Sequence, residues 1–418
     1  MNIKDGCHAT AGFSSADQTG NKKRKRQKPE AKRETPLPPE SSGQTTKGKK
    51  TRKITVLEKS TGPVATQSTI VNTSELLSEQ QIKRNEQLIE TARAGNIDDI
   101  KALLEQGADI NLRCGYDHPI ATAAREGHLD MVRYLHKKGA ITDQCFPSPI
   151  IEAAQNGHVD VVRYLHRAGV SADSSQNGTS LIGHAIIGGH IDVVKYLIKH
   201  GVDVNSSDQY TDTPMCEAAE WGRFDIVSLL VDKGADIDGC RKGAHTPIYI
   251  AACNGHRDIV KFLVAQGANV NAFRSGSKTP IYAAAMTGDR ELVKYFLEQG
   301  VDVNANSTGS ETPVWGAANA GHYDMVQYLR SAGATFEKNS TKSETLIAAA
   351  ARGGLMTLVQ ELLQEGGYIS TRDDYIPLIN DARFFHHYKL EDYLRGQFDL
   401  MPDPLGPRPG KKRKSSKY

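Results

Sequence analysis

Five histidines are the first residues whose type and spacing could carry chemistry. His128, His158, His190, His256 and His322 each follow a glycine and stand two residues before an aspartate. A shared slot of this kind suggests a metal or proton-transfer ladder. Stacked helices lie roughly 10 Å apart, so one imidazole per layer cannot converge on a metal. The expected role is a joint residue that hydrogen-bonds the neighbouring turn. His136 and His166 stand where Ile198 and Val264 occur elsewhere. They read as a pH-sensitive layer or as satisfied, partly buried imidazoles. The six cysteines (7, 114, 145, 216, 240 and 253) form no CxxC pair, which argues against a zinc site. No glycine-rich phosphate loop, HExxH, GxSxG or Cys/His nucleophile pattern occurs. The expectation is therefore no catalytic residue, no cofactor and no metal.

Charge is the second kind of chemistry. The 418 residues carry a net +3, unevenly spread. Residues 1–74 hold 15 basic and 6 acidic side chains, and residues 399–418 hold 6 and 2. The stretch between them holds 31 and 41, a net of −10. An acidic body thus lies between two basic tails. The tails contain Lys22-Lys23-Arg24-Lys25-Arg26, Lys49-Lys-Thr-Arg-Lys53 and Lys411-Lys412-Arg413-Lys414. Clusters like these are read by import receptors or by phosphates, or simply solvate the chain. No aromatics interleave the charges, which argues against base stacking. Import into a nucleus is the expected role, with nucleic-acid contact the weaker alternative. No apolar run approaches the ~20 residues of a membrane helix, and Met1–Phe13 has no apolar stretch of signal-peptide length. No membrane contact is expected, and the chain reads as a monomer.

What must position the central histidines is a repeat. Glycines at 95, 127, 157, 189, 222, 255, 288, 321 and 353 recur at intervals of 30 to 33 residues. A second glycine follows each at 12 or 13 positions, from Gly107 to Gly366. In the unit beginning Thr246-Pro-Ile-Tyr-Ile-Ala-Ala-Cys-Asn-Gly255, Thr246 can cap and Pro247 suits the first helical position. Ala251 and Ala252 allow close helix contact, and Gly255 ends the helix in the left-handed conformation. A second helix follows, with Ile259, Val260, Leu263 and Val264 on one face. A single unit cannot cover that face, so units must stack.

The period, the Thr-Pro-x-x-x-Ala-Ala openings at 213, 246, 279 and 312, the Gly-His-x-Asp joints and ends such as Gly201-Val-Asp-Val-Asn205 resemble the ankyrin repeat family. The resemblance covers about residues 80–395, as roughly nine repeats and a degenerate C-terminal cap. It implies an all-α solenoid of helix-turn-helix and hairpin units between disordered basic tails. The expected boundaries are 1–74 for the first tail, 75–397 for the array and 398–418 for the second. Ser78 is expected to open a capping box at the N-terminal end. In the cap, His386 stands where glycine is expected.

The resemblance also implies that partners touch the hairpin tips and the two residues before each Gly-His joint, on a concave face. That stripe reads Arg125-Glu126, Gln155-Asn156, Ile187-Gly188, Glu220-Trp221, Cys253-Asn254, Met286-Thr287 and Asn319-Ala320. Ile187, Trp221, Cys253 and Met286 place apolar groups in a polar face, and tryptophan is a common anchor. Trp221 reads equally as a packed residue. Tyr249, Tyr282 and Trp315 read as structural. Two adjacent hairpins carry Arg241, Lys242, Phe273, Arg274 and Lys278, which could grip an acidic peptide or be solvated turns. The expectation is a non-enzymatic scaffold or adaptor for a protein partner, with an import receptor on the tails. An effector exported by a bacterium or virus into a eukaryotic host, or a chromatin- or nucleic-acid-associated factor, is the alternative.

Overall fold

The computed structural model describes residues 79–401 apart from short connecting segments at 112–116, 143–145, 173–174, 177–178, 208–211, 242–244, 272–277, 306–310, 336–344 and 367–368. The expected tails and the Ser78 capping box lie outside the described residues. Within this unit the helices come in successive pairs. The pairs are α1 (Glu79–Ala94) with α2 (Ile97–Glu105), α3 (Pro119–Arg125) with α4 (Leu129–Lys137), and α5 (Pro149–Gln155) with α6 (Val159–Arg167). Next come α7 (Leu181–Gly188) with α8 (Ile191–Lys199), α9 (Pro214–Glu220) with α10 (Phe224–Asp232), and α11 (Pro247–Cys253) with α12 (Arg257–Ala265). Then follow α13 (Pro280–Met286) with α14 (Arg290–Glu298), and α15 (Pro313–Asn319) with α16 (Tyr323–Ser331). The last two are α17 (Leu346–Arg352) with α18 (Met356–Glu365), and α19 (Tyr375–Phe384) with α20 (Tyr388–Leu400). A two-residue antiparallel pair, β1 (Ser175–Gln176) and β2 (Thr179–Ser180), leads into α7.

Each pair follows from local chemistry. Proline fills the first turn of α3, α5, α9, α11, α13 and α15, where its missing N–H costs nothing. Thr213 accepts from the Cys216 N–H, Ser180 from Gly183 and Thr345 from Ala348. Thr246 makes no such cap bond, and its hydroxyl is buried without a partner. The first helices stack closely on one another because alanine pairs such as 153–154, 218–219, 251–252 and 284–285 are fully buried between them. The second helices bury Val132 and Leu135, Val194 and Leu197, Val260 and Leu263, and their equivalents. The core is thus a ribbon running along the stack, renewed in every unit.

Bridges between units repeat as well. Asp109, Asp203 and Asp302 each accept the N–H of the asparagine two residues on. Those asparagines reach across: Asn111 accepts from the Ile141 N–H, Asn205 from Asp236 and Asn304 from Thr335, at 2.7 to 2.8 Å.

Two details differ from the sequence reading. The joint glycine of the ninth unit is Gly354, with φ +70°, rather than Gly353. Gly353 is needed for a different reason, since a Cβ there would lie 2.0 Å from the Ala318 carbonyl oxygen. The last helix continues through Leu400, past the expected boundary at 397. Arg372 holds that end by packing 4.0 Å over the Phe398 ring and pairing with Asp399 at 3.4 Å. Met401 turns extended because Pro402 follows it. His386 does adopt φ +63°, the glycine-like conformation.

Candidate functional site

The joint histidines bind one unit to the next. The Nε2 of His128 meets the Arg93 carbonyl at 2.9 Å, that of His158 the Arg125 carbonyl at 2.8 Å, and that of His190 the Gln155 carbonyl at 3.0 Å. His256 reaches Glu220 and His387 reaches Arg352 in the same way. A carbonyl only accepts, so Nε2 carries the proton and the imidazole is committed to structure. Each ring also lies on the joint glycine of the preceding unit: a Cβ at Gly127 would meet His158 at 2.3 Å, and one at Gly157 would meet His190 at 2.4 Å. Arg223 takes the slot in the fifth unit and donates to the Ile187 carbonyl at 2.5 Å. His136 pairs with the Tyr164 hydroxyl and His166 with the Tyr196 hydroxyl, each at 2.9 Å. Among the described residues no group of three or more His, Cys, Asp or Glu side chains could hold a metal ion.

The expected partner stripe occupies the last turns of the first helices. Trp221 is the C-cap of α9 and is 40% exposed. Ile187 in the preceding unit and Met286 two units on are half-buried. Cys253 between them is buried, so it offers a partner little side-chain surface. Tyr249, Tyr282 and Trp315 are buried. Tyr249 stacks on His245 at 4.1 Å, and burial pushes its hydroxyl up to about 12. Burial raises Tyr282 further still.

The basic hairpin residues are less available than their sequence suggests. Arg241 donates to Asp212 of the preceding unit at 2.7 Å. Lys278 sits 4.7 Å over the Tyr282 ring, bonds its hydroxyl at 3.2 Å and pairs with Glu311 at 3.4 Å. Lys242, Phe273 and Arg274 lie outside the described residues, as do Lys22–Arg26 and Lys411–Lys414.

A residue the stripe reading passed over lies one turn before Trp221. Glu217 is 8% exposed on α9, and among the described residues its side chain makes no hydrogen bond or ion pair. Burial pushes its carboxyl up to about 7, with Glu220 and Asp212 adding repulsion. The carboxylate fits because α7 has Gly183 opposite: a Cβ there would lie 3.2 Å from the Glu217 Oε1. Ile250 and Ala283 occupy the same position in the next two units. That internal comparison, a charge in a column that is otherwise small or apolar downstream, was the available signal. Glu152, in the same column of the third unit, has its own cation in Arg125 at 2.7 Å.

The architecture defines a class: a stack of helix pairs whose buried groups, Glu217 apart, serve the stack and whose distinctive chemistry is an exposed face. The chain belongs to the ankyrin repeat family. The family model described as ankyrin repeats (three copies) matches residues 88–174, 150–239 and 238–307, which together span more than half of the chain. Among solved structures the chain is similar to the human ASB11 ankyrin repeat domain, at 24% identity and a TM-score of 0.46, over 51% of this chain and 98% of that one. No curated protein sequence matches it. Ankyrin arrays are non-catalytic modules of protein interaction, and this one has the general role of a protein-binding scaffold. Among the described residues no helix is long and apolar enough to cross a membrane.

Proposed function

We propose that the array is an adaptor that binds one protein segment across the ends of its first helices, centred on Trp221 with Ile187 one unit before it and Met286 two units after it. The observation that carries this reading is the exposed indole. A tryptophan left 40% exposed on a rigid helix end forgoes burial, and such anchors dominate interface energy. The basic clusters at Lys22–Arg26 and Lys411–Lys414 then act as the address that brings the adaptor to a nucleus.

The test is a photo-crosslinking residue placed at Met286 in the full chain, in living cells. A protein captured there should be lost from a folded Trp221→Ala variant, with an affinity cost of about 2 kcal/mol or more once the pair is isolated. Equal capture by that variant would move the binding surface away from these helix ends. For the address, a fluorescent fusion should accumulate in nuclei. Alanine substitution of Lys22–Arg26 and Lys411–Lys414 together should release it to the cytoplasm. Retention by that variant would end the assignment.

A further inference from the structure

An acid without a counter-charge at a nearly buried position of a repeat is costly. Glu217 is 8% exposed, with its carboxylate oxygens at the surface. It is more than nine-tenths buried, and among the described residues its side chain has no hydrogen bond or ion pair. A buried charge left without a partner destabilises the fold that holds it. Hydrophobic or small residues fill the same position in the units that follow, as Ile250 and Ala283. A leucine there would serve the stack better. Rules broken locally with no structural return are typical of sites that serve binding.

The surroundings say what is missing. Glu217 and Trp221 are four residues apart, one helical turn, so they lie on the same side of α9. Glu220 lies between them in sequence, and Asp212 stands at the entrance to the helix. The nearest basic hairpin residue, Arg241, is already held by Asp212 at 2.7 Å. On the other side α7 presents Gly183 and the half-buried Ile187, with His184 buried between them.

We propose that the surface where α7 meets α9 receives an arginine side chain from a protein segment, with its guanidinium paired to Glu217 and its flank against the Trp221 indole. This rests on the reading that partners bind across these helix ends, and it fixes the charge of the partner. Arginine suits both halves of the site. Its planar fork pairs with a carboxylate, and it stacks on an aromatic face. Ile187 gives an apolar neighbour of that arginine somewhere to rest. The sequence between the tails carries a net charge of −10, so the long-range field favours the same partner. This partner has the opposite charge to the acidic peptide suggested by the hairpins.

The probe is a blocked peptide, acetyl-Gly-Leu-Arg-Leu-Gly-amide, with glutamate and glutamine versions as controls. The reporter is 5-fluorotryptophan in the full chain, which contains two tryptophans, Trp221 and Trp315. A Trp221→Phe variant assigns the two fluorine resonances. The arginine peptide, titrated into the millimolar range, should move the Trp221 resonance and leave that of Trp315 in place. Glu217→Gln keeps the shape and removes the charge, so it should weaken binding by about tenfold or more. The variant's thermal unfolding curve confirms that it folds. If Glu217→Gln binds the arginine peptide as well as the parent, the assignment fails. It fails also if no peptide moves the Trp221 resonance. A larger shift with the glutamate or glutamine peptide overturns the cationic partner and leaves the helix-end surface as the binding site. Loss of the crosslinked partner in Trp221→Ala but not in Glu217→Gln has the same meaning.

Discussion

Glu217 links the chemistry of one side chain to the stability of the whole stack. An ordinary glutamate titrates near 4.5, and in the fold this one is pushed up to about 7, chiefly by burial. Between those values the native state holds a proton that the unfolded chain has lost. Stability therefore falls as pH rises through that window, by about 3 kcal/mol at most from this group. Glu217→Gln removes the titration. The variant should match the parent near pH 4 and exceed it by up to about 3 kcal/mol at pH 8. Urea unfolding of both proteins at pH 4, 6 and 8 measures the difference, and a constant gap across that range would show that Glu217 titrates alike in the folded and unfolded chain. The sequence made Trp221, Ile187 and Met286 legible because they interrupt a polar column. It did not expose Glu217, because a glutamate on a short helix normally reads as a solvated residue. Its burial depends on Gly183, which lies 34 positions earlier and is brought opposite only by stacking. Arg241 and Lys278 looked free for the converse reason. Their acids, Asp212 and Glu311, lie 29 and 33 residues away and meet them only across a unit boundary.

At the scale of the element, the repeating glycines do two separate jobs that sequence alone merges. Period and left-handed conformation were legible from the spacing, and the joint glycines do adopt positive φ. The cover placed on them by the next unit was not. Gly157 has φ +81°, and a Cβ would meet the His190 ring at 2.4 Å. Gly201, at the end of a second helix, has φ +94° with open space around it. Both alanine substitutions pay the left-handed backbone cost of about 1–2 kcal/mol. Gly157→Ala must also displace a ring that holds the Gln155 carbonyl at 3.0 Å, which adds about 1–3 kcal/mol of overpacking. Gly157→Ala should therefore be the more destabilising of the two in urea. In a His190→Ala background the excess should vanish, since the obstructing ring is gone. An excess that persists there would place the strain in the turn itself. Gly353 and Gly354 are merged in the sequence for the same reason: both fit the period, and only the approach of the Ala318 carbonyl to Gly353 separates their roles.

The array as a whole is held by a core that is continuous but only one unit thick, so a defect acts on its neighbours. Leu263 lies on α12 near the middle of the stack and is fully buried. Its helix also carries Ile259 and Val260 inward, and neither can spread to fill a void without leaving its own contact. Leu263→Ala should cost about 2–5 kcal/mol from lost transfer energy and the cavity left behind. In a globular core that would appear as a simple shift of the unfolding midpoint. In a linear array each unit contacts only its neighbours, so stability is a sum of unit and interface contributions. Weakening the sixth unit lowers two interfaces at once and leaves folded blocks on either side. The unfolding curve of the variant should broaden or split, with a reduced denaturant slope for its first phase. Hydrogen exchange should locate that phase in α11 and α12 and the helices next to them. A single sharp transition with an unchanged slope, shifted to lower urea, would mean that all units unfold together despite the defect. A curve identical to that of the parent would mean that the Leu263 contact contributes nothing to the stack.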